Sequence, residues 1–305
     1  MKLTEAHYLS DTERQLGLWG RNAQLKLRDA SVAVGGIGGI GAISALMLAK
    51  AGVGQIAVCD RDSYGVENVV EQAFATHDNV GVTKVIAAER EMRRHSRHTQ
   101  ITGFVGDLSD DAACRRLIAG ADILVSGVDN AMARIALGRA AARKGIPFVV
   151  AANIGWSATH TVYLPGKFSY SAAWRDVPDV SWKSGFPDMG NLQTRSVIER
   201  EWNIWVAAVS GYTRQHLRAF LSRNQSYYWY AAPPANLAAS LGVMDALKCL
   251  LNISPIVAFP QTYMFDLKNN RPWNLEELRD RRNRLRLVWH RGAKAIMNVI
   301  TAWEH

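Results

Sequence analysis

The chain has 305 residues, 48% of them hydrophobic and 21% charged, with a formal net charge of +9, which is ample for a large core in one extended domain or one domain with a lobe. The basic residues are spread rather than striped and carry no recognisable nucleic-acid motif, so an acidic substrate or partner is expected rather than nucleic acid. No apolar run reaches about 18 residues and no signal peptide opens the chain, so no membrane association and a cytoplasmic location are expected.

Residues 1–28 read as a helical arm. Val32 to Val34 is a short apolar run suited to a strand buried on both faces, and Gly36, Gly38, Gly39 and Gly41 follow it as G-x-G-G-x-G. The missing side chains let the backbone turn tightly and approach a phosphate, and a helix from about Ile40 to Lys50 then offers its positive N-terminus to that anion. Gly52 and Gly54 close the helix, Ile56 to Cys59 makes a second strand, and Asp60 stands about 20 residues after the glycines, where an acid can bind ribose hydroxyls. This unit predicts a dinucleotide-type fold, and it serves NAD, FAD and ATP enzymes alike.

Alternating strands and helices continue to about residue 165, with strands expected over Ile123–Val128 and Ile146–Val150. The pattern changes after Leu164-Pro165-Gly166. From Lys167 to Pro234 the chain is rich in aromatics, with Trp174, Trp182, Trp202, Trp205, Trp229 and the run Tyr227-Tyr228-Trp229-Tyr230, around an amphipathic helix expected near Arg195 to Arg218. Aromatics of this kind are core more often than contact, but this segment is where a substrate pocket is expected. Another helix is expected over Ala235–Leu251. The tail from Glu276 to Lys294 is dense in arginine (Arg279, Arg281, Arg282, Arg284, Arg286, Arg291) with Leu278, Leu285 and Trp289 on one stripe, an ordinary surface helix or a site for an acidic partner.

Among the remaining reactive side chains, His95 and His98 belong to a basic helix end without a further ligand at useful spacing. His160, in a strand-like stretch, is a candidate for substrate contact. Cys59, Cys114 and Cys249 form no C-x-x-C pair, so they are expected to be packing residues and no zinc site is expected.

Several stretches together resemble the ThiF/MoeB/HesA family, the bacterial relatives of ubiquitin-activating enzymes. They are Glu13-Arg14-Gln15-Leu16-Gly17-Leu18-Trp19-Gly20 with Gln24, the glycine turn, Asp60-Arg61-Asp62, Asn68 and Gln72, Gly81-Val82-Thr83-Lys84, and Ser126-Gly127-Val128-Asp129-Asn130 with Arg134. Residues 10 to 165 are covered well, and Ala235–Leu251 is similar to the family's late helix. The resemblance implies an α/β, Rossmann-like nucleotide-binding fold of the ubiquitin-activating-enzyme type, a parallel sheet extended by antiparallel strands with helices on both faces. It implies one integrated domain: the arm at 1–28, an ATP-binding core at 29–165, and a crossover and substrate lobe with C-terminal helices at 166–305.

The implied activity is Mg-ATP-dependent adenylation of a carboxylate on a peptide, a carrier-protein terminus or a small acid, giving an acyl adenylate and pyrophosphate, in a homodimer. Gly36, Gly38, Gly39 and Gly41 would lie under the ATP phosphates and Asp60 would hold the ribose. Lys84 would offset phosphate charge, Asp129 would hold Mg2+, and Arg14 would reach the phosphates, across the dimer in this family. Asn68 would contact the nucleotide or substrate carboxylate, and Asp62, Gln72 and Asn130 complete the expected ATP-binding set. The absence of paired cysteines sets the chain apart from zinc-holding and sulfur-transfer members and towards peptide or natural-product modification. One departure stands out: the family carries Asn-x-Asn-Arg-Gln where this chain reads Asn68-Val69-Val70-Glu71-Gln72, so an acid replaces a phosphate-binding arginine. Arg61 or Arg14 could substitute. Two other readings remain, a catalytically inert partner subunit, which suits Glu71, and an NAD-dependent oxidoreductase, which leaves Lys84, Asp129 and Arg14 without a task.

Overall fold

Val32, Ala33 and Val34 are 0% exposed, and a strand buried on both faces belongs at the centre of a sheet that helices cover on each side. The computed structural model, which describes residues 4–174, 177, 179–221, 228–273, 280 and 282–283, has them there. The first half of the chain runs α1 (Glu5–Asp11), α2 (Glu13–Asp29), β1 (Ser31–Gly35), α3 (Gly39–Lys50), β2 (Gln55–Asp60), α4 (Lys84–His95), β3 (Gln100–Val105), α5 (Asp111–Ile118), β4 (Ile123–Ser126) and α6 (Ala131–Lys144). The second half runs β5 (Phe148–Ile154), β6 (Ser157–Tyr163), β7 (Trp182–Lys183), β8 (Phe186–Pro187), α7 (Leu192–Val209), α8 (Arg214–Leu221), α9 (Ala232–Leu251), β9 (Tyr263–Asp266) and β10 (Arg271–Pro272).

One sheet takes the order β10-β9-β6-β5-β4-β1-β2-β3. Its members from β5 to β3 are parallel, and β6, β9 and β10 add antiparallel, so the parallel sheet with antiparallel extension is what forms. Strand side chains alternate between faces, and the core divides accordingly. Val32, Val34, Val125 and Val149 pack under α3, α4 and α9, while Ala33, Leu124, Phe148 and Val150 pack under α5 and α6. The sequence of α3, GIGAISALMLAK, is apolar on nearly every side, which suits a helix enclosed by its neighbours; it packs along α9.

Several expected boundaries shift. The strand expected to reach Val128 ends at Ser126, the strand expected from Ile146 begins at Phe148 and runs on to Ile154, and the single helix expected near Arg195–Arg218 is two helices. The last break falls at Gly211, whose φ of 62° is a left-handed conformation that ends α7 and turns the chain. The arginine-dense tail lies outside the described residues except for 280, 282 and 283.

The N-terminal arm is tied to the core by one buried knot. The Tyr8 hydroxyl, in a residue 1% exposed, lies 2.8 Å from the Gly52 carbonyl oxygen and accepts from Gln24 Nε2 at 2.8 Å. Gln24 also donates to the Ala51 carbonyl and accepts from Trp19 Nε1. Gly52, at φ 89°, leaves room for this; a Cβ there would sit 2.6 Å from the Tyr8 oxygen. Removing the hydroxyl strands buried donors and acceptors, at a cost of about 1–3 kcal/mol. Tyr8→Phe should therefore lower the unfolding free energy measured in urea by that amount, and an unchanged value would mean that the arm is not held through this knot.

Candidate active site

From β1 the chain passes to β2 and β3 on one side and later to β4 on the other, and the carboxyl ends of strands at such a split are where α/β sheets bind ligands. A cleft lies there. It is lined by Gly36, Gly38 and Gly39 after β1, Asp60 to Asp62 after β2, Gly106 to Leu108 after β3, Gly127 to Asn130 after β4, and Asn153 at the end of β5.

The glycine turn is fixed by close backbone packing. Gly36 has φ 85°, and a Cβ on it would come within 2.9 Å of the Gly127 backbone. A Cβ on Gly41 would overlap the Gly36 carbonyl oxygen, and one on Gly127 would meet the Gly41 Cα at 2.6 Å. Gly41 is thus buried beneath the turn rather than on the cleft wall, and Gly127, to which the sequence assigned no task, is its counterpart. Asp60 is 8% exposed and holds the turn from the side, accepting from the Ile37 N–H at 2.6 Å and the Asp62 N–H at 2.8 Å. Burial pushes its carboxyl above the usual range, against the opposing pull of the Ile37 N–H.

The charged groups converge on the open side. Lys84, the first residue of α4 and 7% exposed, points its ammonium at Asp62, 3.7 Å away. Asp129 is exposed on the turn before α6, and Asn130 caps that helix by accepting from the Ala133 N–H at 2.8 Å. Asn68 accepts from the Gly65 N–H at 3.0 Å and lines an adjoining cavity. Arg14 lies exposed on α2 and lines neither space.

Glu71 is turned towards the glycine turn. A Cβ on Gly39 would be 2.8 Å from its Oε2, so the carboxylate stands over the start of α3, and Gln72 Nε2 donates to its Oε1 at 2.7 Å. Burial pushes the Glu71 carboxyl above its ordinary value, with the Gln72 hydrogen bond opposing. Neither arginine expected to compensate does so within this chain. Arg61 is spent on Asp107 at 2.9 Å, and Arg14 is remote. A cation that the motif contained but to which no role was assigned is Arg134, 3% exposed, which lines the cleft, donates to the Val128 carbonyl at 2.5 Å and lies over the Trp202 ring at 4.8 Å.

The adjoining cavity, about 980 Å3, shares Asp62, Gln72, Lys84, Asp129 and Tyr230 with the cleft. Trp202, Tyr228 and Trp229 of the aromatic segment line it, with Trp202 Nε1 donating to the Tyr228 hydroxyl at 2.8 Å, whereas Trp174 is core. His160 does not reach either space: its Nδ1 is 2.7 Å from Asp245 on α9, and both are buried. His98 instead meets Asp11 at 2.6 Å. Burial pushes the Cys59, Cys114 and Cys249 thiols up to about 12, so none is a ready nucleophile.

No group of three or more metal-ligating side chains occurs among the described residues. A magnesium ion carried with a nucleotide needs only one or two carboxylates, because phosphates and waters complete its shell. Asp129, exposed at the cleft with no basic side chain within 4 Å among the described residues, fits that requirement.

A sequence model described as the ThiF family matches residues 12–287. The chain is 37% identical over 150 residues to the sulfur carrier protein ThiS adenylyltransferase of Bacillus subtilis, covering 48% of this chain and 44% of that protein. It is 35% identical over 162 residues to the molybdopterin-synthase adenylyltransferase of Salmonella typhimurium, covering 51% of this chain and 65% of that one. The chain thus spans less than two thirds of these relatives. Among solved structures, Escherichia coli MccB in a crystal with MccA-N7isoASN superposes with a TM-score of 0.66 at 21% identity, over 87% of this chain and 71% of that one. PaaA superposes with a TM-score of 0.64 at 17% identity, over 90% and 74%.

Asp60 offers two acceptors to two backbone donors, and an amide can offer only one. Asp60→Asn should cost about 1–3 kcal/mol in chemical denaturation by leaving an N–H of the turn unpaired; full stability would show that the turn holds without it.

Proposed function

The chain belongs to the ThiF family, and from that membership and the cleft we propose that it uses ATP to adenylate a carboxylate, forming an acyl adenylate and pyrophosphate. The observation that carries this reading is the position of Lys84, a buried ammonium at the junction of the glycine-lined cleft and the larger cavity. In the proposed reaction a substrate carboxylate oxygen attacks the α-phosphorus of ATP, the bond from that phosphorus to the bridging oxygen breaks, and pyrophosphate leaves with the electron pair. The α3 N-terminus and the turn N–H groups face the phosphates. Lys84 offsets the charge that builds on the leaving group, and its burial strengthens that interaction relative to water. Asp60 to Asp62 orient the ribose side, with Gln72 and Asn130 beside the phosphates and Asn68 towards the substrate. Magnesium, held by Asp129 and the phosphates, would neutralise further charge.

The substrate in this reading is a protein or peptide carboxylate, supported by relatives named for a sulfur carrier protein and by the fold shared with MccB, crystallised with an MccA species. Arg14 acts across a cytoplasmic homodimer, a role its distance from its own cleft permits. The one-domain division at residues 28 and 165 belongs to the same proposal.

Thermal denaturation with Mg-ATP, with ATP plus chelator and with NAD tests this. Mg-ATP at about a hundred times its dissociation constant should add roughly 2.7 kcal/mol, and chelator, Lys84→Ala or Asp129→Ala should remove most of that gain from folded protein. A gain with NAD alone would overturn the proposal.

Glu71 favours a second reading, an inert subunit that needs an active partner. If the chain is active, Glu71→Gln should tighten Mg-ATP binding roughly tenfold in calorimetry by removing a carboxylate from the phosphate path. Pyrophosphate release by Glu71→Arg but not by the unaltered chain, across a carboxylate panel, would favour the inert reading.

A further inference from the structure

The larger cavity opens directly from the glycine-lined cleft, with Lys84 and Asp129 lining both. At about 980 Å3 it sits at the top of the roughly 300–1,000 Å3 range of clefts that enclose small ligands. Its charge opposes that of the protein around it. The chain carries +9, yet the described wall bears Asp62, Glu67, Glu71, Asp129 and Glu199 against two cations, Arg61 and Lys84. Those cations already face carboxylates, at 2.9 Å for Arg61 with Asp107 and 3.7 Å for Lys84 with Asp62. Glu67, Glu71, Asp129 and Glu199 have no basic partner within 4 Å among the described residues.

A separate observation points to a donor-bearing ligand. Gln72 is 6% exposed and lines the cavity with its Oε1 lacking any hydrogen-bond partner among the described residues. A buried acceptor is ordinarily satisfied, so the Gln72 oxygen calls for an N–H group from outside the chain. The aromatic wall suits the same ligand, since ring faces attract ammonium and guanidinium groups. Trp202 already carries the Arg134 guanidinium at 4.8 Å, and Phe220, Tyr228 and Trp229 stand beside it in the wall.

We infer that this cavity receives a basic peptide segment, one that carries lysine or arginine within a few residues of the carboxylate to be activated. The inference rests on the adenylation reading of the adjoining cleft. The carboxylate end lies at the junction with the cleft, and the cationic side chains reach Glu67, Glu199 and the aromatic faces beyond it. ATP in the cleft deepens the negative field and strengthens the preference. Acidic or uncharged tails gain nothing from this wall.

The test uses the full chain with Mg2+ and a non-hydrolysable ATP analogue, and fluorescein-labelled tetrapeptides with free carboxyl termini. Three lysines, three norleucines or three glutamates precede a terminal glycine, and binding is read by fluorescence anisotropy. The lysine peptide should bind about tenfold tighter than the norleucine peptide and tighter still than the glutamate peptide, with the advantage shrinking as salt rises. Glu67→Gln with Glu199→Gln should shrink it at low salt too while the Mg-ATP thermal shift stays in place. Equal binding of the lysine and norleucine peptides would overturn the inference, whether or not the variant folds. Spermidine displacing the lysine peptide as well as unlabelled peptide does would overturn a peptide as the occupant. The Mg-ATP shift is read separately, so its loss with lysine preference intact would count against adenylation and not against the charge of the ligand.

Discussion

The site depends on one steric constraint, the meeting of three backbones with no side chain between them. Gly36 at the end of β1, Gly41 in the first turn of α3 and Gly127 just beyond β4 approach so closely that a Cβ on any of them would strike another's main chain. This contact sets how deeply α3 can sit on the sheet, and hence where its N-terminal N–H groups point. It also ends β4 at Ser126 and delivers Asp129 to the mouth of the cleft. Asp60 completes the arrangement by bonding the Ile37 and Asp62 N–H groups across the same turn. A turn built this way is held in place before any ligand arrives, which is the condition for electrostatic stabilisation without reorganisation.

Upon that frame the cleft is mixed in charge. The acid at position 71 lies over the start of α3, and the cleft wall holds Asp60, Asp62, Asp107 and Asp129 against Arg61, Lys84 and Arg134. On the proposed reading an anionic nucleotide would depend on the helix N-terminus, on Lys84 and on a bound divalent cation. The same surplus of carboxylates that would burden ATP would make the neighbouring cavity attractive to a cationic segment, so Glu71 would weaken one ligand's field and strengthen the other's.

Much of the fold was legible in the sequence because its strongest signals are local. Continuous apolar runs marked the central strands, and the glycine pattern marked the turn that follows β1. Boundaries failed where a long-range contact decides them: nothing near Val128 says that β4 must stop to let Gly127 pass Gly41, and the break between α7 and α8 rests on one left-handed glycine. At the site, residues on the glycine turn and the strand ends were readable from spacing. Asp60 was expected at the ribose, while its place as the clamp of the turn was not readable, since its donors come from two separate segments. Arg134 took its place at the cleft only through tertiary packing. The aromatic segment was marked as pocket-forming by composition, while the division into core Trp174 and cavity Trp202 and Trp229 was not.

The most direct measurement is isotope exchange between labelled pyrophosphate and ATP, run with and without a peptide bearing a free carboxylate. Reversible formation of an acyl adenylate requires label to enter ATP only when the carboxylate, magnesium and an intact Lys84 are all present. Conversion of ATP to ADP and phosphate, or exchange that ignores the carboxylate, would contradict the account.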